Sequence, residues 1–144
     1  MRRFLLLASA TLLLASCAST GLYNWGGGSF ASTSDYENLA YRYYDKQTPE
    51  SVCALIAMYE NVVSKPGGSR QVPPPGVCAE YGYLLLMPET AATFAEHATS
   101  SQRRAFKGSD FGVLFHERGI EMLKREIELY PESATFITPL LKKF

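Results

Sequence analysis

Thr48-Pro49-Glu50-Ser51-Val52-Cys53-Ala54-Leu55-Ile56-Ala57-Met58-Tyr59-Glu60-Asn61-Val62-Val63 carries the strongest periodic signal in the chain. Val52, Leu55, Ile56, Tyr59, Val62 and Val63 recur three or four residues apart, which puts them on one stripe of a helix. Thr48 offers a capping hydroxyl, and Pro49 falls at the first helical position, where a missing N–H costs nothing. Lys65-Pro66-Gly67-Gly68 ends the segment. A helix with one apolar face must bury it, so helical neighbours are expected.

The same period recurs on both sides. Ser34-Asp35-Tyr36-Glu37 has the form of a capping box, and Tyr36, Leu39, Ala40 and Tyr43 predict a short helix to about Asp45. Beyond Pro73-Pro74-Pro75, residues 77–87 are apolar on nearly every side, as a central helix would be. A buried strand over 81–87 is the alternative, because short apolar runs are ambiguous. Residues 88–106 allow a helix with a thin apolar face. Phe111, Leu114, Phe115, Gly119, Met122, Leu123, Ile127 and Tyr130 then trace one face, with Glu117, Arg118, Glu121, Lys124, Arg125 and Glu128 opposite. Pro131 stops that helix, and Ser133 can cap a last one that Pro139 must kink or split. Nothing reads as a sheet. The expected class is all-α.

The N-terminus sets the expected location. Arg2 and Arg3 precede a short apolar run over 4–14, and Leu14-Ala15-Ser16-Cys17 closes it with small residues before a cysteine. That order is a secretory signal peptide over 1–16, too short to span a bilayer comfortably, which takes roughly 20 residues. Leu-Ala-Ser-Cys is similar to the bacterial lipoprotein signal, in which the cysteine is lipidated and becomes the mature N-terminus. Removing 1–16 leaves 128 residues, 12 basic and 14 acidic, enough for one domain and without the footprint of a nucleic-acid binder. Residues 17–33 have the composition of a flexible tether, interrupted by Leu22, Tyr23, Trp25 and Phe30, with a fully extended reach of roughly 50 Å. The domain is then 34–144.

Leu22-Tyr23-Asn24-Trp25-Gly26, with two later blocks at 74–82 and 126–133, resembles the sequence of a family of small bacterial outer-membrane lipoproteins of unknown function. The first block, after the lipid cysteine, is similar to its opening. Pro74-Pro75-Gly76 before Ala79-Glu80-Tyr81-Gly82, and Glu126-Ile127-Glu128-Leu129-Tyr130-Pro131-Glu132-Ser133, are similar to its other blocks. The resemblance implies tetratricopeptide-like antiparallel helical hairpins and a periplasmic accessory role, often encoded beside a curli-pore-like lipoprotein. Gly119, Leu123 and Pro131 have the spacing of such a repeat. Glu126, where a small residue belongs, departs from it. Gly82 fits the small site of the earlier repeat but lies too far back, which makes 88–112 an insertion.

The chemistry-bearing residues are few. His97 and His116 do not make up the three or four ligands zinc requires, and no nucleophile-base set or phosphate loop appears. No catalytic residue, metal or cofactor is expected. Cys53 and Cys78 invite a disulfide in an exported protein. An antiparallel hairpin of 49–63 and 77–87, however, separates them by roughly 15 Å at 1.5 Å per residue. Cys78 is therefore expected as a buried small hydrophobe and Cys53 at the edge of its stripe. Tyr23 and Trp25 could dock on the domain, sit at the membrane interface or contact a partner. Tyr41, Tyr43 and Tyr44 are the partner-contact candidates on the first helix. The expected function is a lipid-anchored scaffold or adaptor facing the periplasm. The alternative is an envelope enzyme or small-ligand-binding lipoprotein using a pocket under the insertion.

Overall fold

The computed structural model describes residues 21–27 and 35–144. The signal peptide, Cys17, most of the tether and the Ser34 cap lie outside the described residues. Seven α-helices follow in order among the described residues: α1 (Asp35–Lys46), α2 (Pro49–Ser64), α3 (Val77–Leu86), α4 (Thr90–His97), α5 (Ser100–Arg103), α6 (Phe111–Leu129) and α7 (Ala134–Leu141). A 3-10 turn (Pro131–Ser133) joins the last two. The class is all-α, and residues 81–86 continue a helix rather than a strand.

α2 begins as its sequence dictates, with the Ser51 N–H donating to the Thr48 hydroxyl at 3.2 Å. Its stripe is buried on α1, α3 and α4, with Ile56, Tyr59, Val62 and Val63 at 1 % exposure or less. α3 lies antiparallel to α2: Tyr59 meets Glu80 while Leu55 and Leu84 line one cavity. α3 also runs antiparallel to α6, and there the backbones approach most closely. A Cβ on Gly82 would stand 2.8 Å from the Gly119 carbonyl oxygen, and one on Gly119 would stand 2.6 Å from Leu86 Cγ. Glycine at both positions is what lets the two helices touch.

The insertion earns its place through phenylalanine. Phe94 from α4 and Phe106 from the following loop meet Phe111 and Phe115 of α6, with ring centroids 5.1–6.4 Å apart in edge-on and tilted pairs. Such pairs prefer that geometry because ring edges are positive and faces negative. A thin apolar face suffices when its one large residue, Phe94, is fully buried.

Three expectations are corrected. Residues 21–27, read as part of a flexible tether, lie against the domain: Ser69 N–H donates to Gly21 O at 3.1 Å, Arg70 N–H to Leu22 O at 3.0 Å, and Tyr36 N–H to Trp25 O at 3.4 Å. Gly68, at φ 73°, permits this, since a Cβ there would stand 2.5 Å from Leu22 O. Ser133 does not cap α7, since its hydroxyl donates back to Tyr130 O at 2.7 Å; of the kink or split expected at Pro139, the split does not occur, and α7 continues through it as one helix. Cys53 is not at the edge of its stripe but 1 % exposed. α4 covers it, and its thiol lies 3.9 Å from Thr93 O.

Candidate functional site

Four rings lead from the docked N-terminal segment into the core. Trp25 packs on Tyr36 (centroids 5.1 Å), Tyr36 on Tyr59 (6.1 Å) and Tyr59 on Tyr81 (5.5 Å). Two carboxylates take the hydroxyls of the three tyrosines. Glu80 Oε2 accepts from Tyr36 at 2.9 Å and from Tyr59 at 2.6 Å. Glu60 Oε2 accepts from Tyr81 at 2.7 Å. Burial first, and these acceptors second, push the Tyr36 and Tyr59 phenols well above their ordinary range, so both remain donors.

The two carboxylates differ in how their charge is met. Arg118 donates to Glu60 through Nη2 at 2.8 Å and Nε at 3.1 Å, and through Nη1 to both oxygens of Glu121 at 2.8 Å. Ser64 also donates to Glu60. Glu80 has no cationic partner among the described residues, and both of its tyrosine bonds fall on Oε2. A further acid, the buried Glu126, accepts the N–H groups of Gly76 at 2.7 Å and Ala79 at 3.3 Å, at the start of α3.

Above this network the surface is rich in tyrosine. Tyr41 and Tyr44 on α1 are 73 % and 65 % exposed, and Tyr83 on α3 is 46 % exposed. Tyr43 is half-buried, with its ring 5.2 Å from that of Tyr44. Tyr43, Tyr44, Tyr59, Tyr83 and Glu80 line a cavity of about 130 Å³ together with Leu55 and Leu84. Tyr43 also lines a cleft of about 490 Å³ that runs past Gln47 and Val52 to Met87, Glu89 and Thr93. A separate polar cleft of about 460 Å³ lies between α1 and the start of α2, with Arg42, Asp45 and Glu50 on its walls.

Each predicted site residue now has a place. Tyr41, Tyr43 and Tyr44 share α1, with Tyr43 and Tyr44 at the cavity and Tyr41 largely in solvent. Trp25 retains 37 % exposure and joins the far end of the ring series, and Tyr23 lies beside the Tyr130 phenol, whose hydroxyl donates to Pro73 O at 2.6 Å. Cys17 lies outside the described residues. His97 reaches Glu96 at 3.6 Å, and no group of three His, Cys, Asp or Glu residues converges among the described residues. Both cysteines are free and buried, and burial together with Glu126 pushes the Cys78 thiol up to about 12.

Sequence reasoning missed Glu60, Glu80, Tyr83 and Arg118. For Glu60 a signal existed, since it interrupts the apolar stripe between Tyr59 and Val62. For Arg118 there was none, because it stands among charged residues on what reads as a solvated face. Set against known protein families, characterised proteins and solved structures, the chain matches none of them.

Proposed function

We propose that the chain is a lipid-anchored periplasmic scaffold or adaptor, held at the outer membrane by lipid on Cys17 and offering its tyrosine surface to an envelope protein. The observation that carries this reading is the exposure of Tyr41, Tyr44 and Tyr83 on adjoining helices. Large aromatic side chains left in solvent are what protein interfaces use as anchors. Leu14-Ala15-Ser16-Cys17 behind Arg2-Arg3 supports the anchor. Docking of Gly21 on Ser69 leaves only four peptide steps back to Cys17, a reach of about 14 Å. The domain would therefore sit close to the bilayer. The Gly82, Gly119, Leu123 and Pro131 positions support a tetratricopeptide-like relationship, and the resemblance of the three sequence blocks supports a curli-pore-like lipoprotein as partner.

The alternative, an envelope enzyme or ligand-binding lipoprotein with a pocket under residues 88–112, has less support. Three of the four packed phenylalanines, Phe94, Phe106 and Phe111, belong to the insertion itself and pack it onto Phe115, and the cleft beside it is open. The test is photo-crosslinking in cells from a reactive residue at position 44 and, as control, at position 128. A discrete envelope adduct from position 44 alone supports the adaptor. Equal adducts from both positions, or none, overturn it. Cys17→Ala should leave the chain unprocessed or soluble; continued fractionation with outer-membrane extracts would refute the lipid anchor.

A further inference from the structure

The cavity between α1 and α3 has an unusual combination of walls. Four tyrosines surround it, and Glu80 supplies the only formal charge on its lining. The Glu80 carboxylate has two neutral donors and no cation among the described residues. Its Oε1 carries neither bond, yet no buried side-chain oxygen or nitrogen among the described residues lacks a partner. Oε1 therefore opens to solvent. Aromatic faces around a carboxylate attract a cation by ring quadrupole and by charge together.

Size and geometry narrow the choice of cation. A cavity of about 130 Å³ holds roughly four waters at about 30 Å³ each, the size of an ammonium head with its last methylenes. A guanidinium is best met by both oxygens of a carboxylate in a fork. Here Oε2 is already taken by Tyr36 and Tyr59, which leaves one oxygen for a compact point charge. An ammonium suits that arrangement. The adjoining cleft of about 490 Å³, sharing Tyr43 as a wall, gives room for the chain that carries the ammonium.

We propose that Tyr43, Tyr44, Tyr59, Tyr83 and Glu80 form a cage for a lysine side chain of the partner protein. This rests on the adaptor reading and names its recognition chemistry. The ammonium sits against Oε1 of Glu80, and the lysine stem lies along the rings of Tyr43 and Tyr83.

The experiment is a titration of the full chain in non-ionic detergent, with ring-labelled tyrosine followed by NMR. The probes are n-butylammonium, n-butanol as its neutral counterpart, n-propylguanidinium, Nα-acetyl-lysine N-methylamide and dihexanoyl phosphatidylethanolamine. Saturable shifts at Tyr43, Tyr44 and Tyr83 are expected with n-butylammonium and with the blocked lysine, with n-butanol weaker by roughly tenfold. Propylguanidinium should bind no tighter than butylammonium. Glu80→Gln, which keeps an acceptor for both tyrosines, should remove the preference for charge. Tyr83→Ala, at a largely exposed position, should weaken butylammonium while leaving the melting temperature close to wild type. Equal binding of butanol, tighter binding of guanidinium, or an unchanged preference in Glu80→Gln overturns the cage. Ring shifts with phosphatidylethanolamine but not with the blocked lysine overturn the choice of a protein partner. Failure of these titrations alongside a specific crosslink from position 44 would remove the cage and leave the adaptor standing.

Discussion

Glu126 caps α3 from fifty residues beyond Gly76, the residue at the helix's N-terminal cap: its Oε1 accepts the Gly76 N–H at 2.7 Å. α3 has no side-chain cap of its own, because Gly76 offers none, and the Glu126 carboxylate reaches Ala79 N–H as well. The acid that departs from the tetratricopeptide pattern is thus what satisfies the start of the central helix. Glu126→Ala should cost about 2 kcal/mol, from a lost cap and buried donors left without a partner. Glu126→Gln, which keeps an oxygen, should cost less. Chemical denaturation of both variants checks the order.

The same residue predicts a pH dependence. Burial raises the Glu126 pKa, and the N–H groups of Gly76, Ala79 and Cys78 only partly offset it. The folded state therefore holds this proton more tightly than the unfolded chain does. The contribution to stability is present below the ordinary carboxylate range and lost as pH rises through the raised value. Wild type should lose stability relative to Glu126→Gln as pH rises from the ordinary carboxylate range through the raised value. A wild type that gains stability relative to Glu126→Gln as pH rises would contradict the sign.

Glu60 and Arg118 form the most buried ion pair among the described residues, with side chains only 11 % and 22 % exposed. Glu60→Ala leaves Tyr81 and Arg118 without their shared acceptor, and should cost about 3 kcal/mol, since removing one partner strands the other. Glu121 keeps part of the Arg118 charge satisfied, so Arg118→Ala, which strands Glu60, should cost at least as much. Melting curves of the two single variants and the double variant measure the coupling.

At the α3–α6 crossing, Gly82→Ala sets two effects against each other. Alanine improves helix propensity by about 1 kcal/mol. Its methyl group would stand 2.8 Å from the Gly119 carbonyl oxygen, a backbone atom that cannot rotate away. Overpacking costs of about 1–3 kcal/mol are typical, and a rigid neighbour puts this site at the upper end. A net loss of about 1–2 kcal/mol is expected. A gain in stability would mean the helices separate easily.

Trp25 is the only tryptophan, so its emission reports on the docked segment alone. Its packing on Tyr36 and its 37 % exposure predict a moderately blue-shifted spectrum with partial protection from quencher. Tyr36→Ala should shift the emission to the red and increase quenching. Trp25→Ala should cost about 1–2 kcal/mol through the lost ring contact and buried area. A fully solvent-like spectrum in the wild type would show the segment undocked.

Helix positions were legible in the residues because their causes are local. The Val52-to-Val63 stripe and Thr48 before Pro49 act within one or two turns, and α2 and α6 end within a residue of where their patterns end. The Gly82–Gly119 approach was also legible, since small residues on two apolar faces mark where helices can meet. The docking of residues 21–27 was not, because a glycine-rich segment has no period, and two of its bonds go to Ser69 and Arg70, more than forty residues away. The fates of Glu60, Glu80 and Glu126 were hidden for the same reason. Each is an acid on a helix, and spacing along one helix sets only which face a residue occupies. Whether that face meets an arginine, two tyrosine hydroxyls or the bare start of another helix is decided by how helices pack, across 21 to 58 residues of chain. The sequence by itself determined an all-α chain with a central apolar helix. Only tertiary structure decided which of its charges is paired, which serves as a cap, and which is left facing a ring of tyrosines.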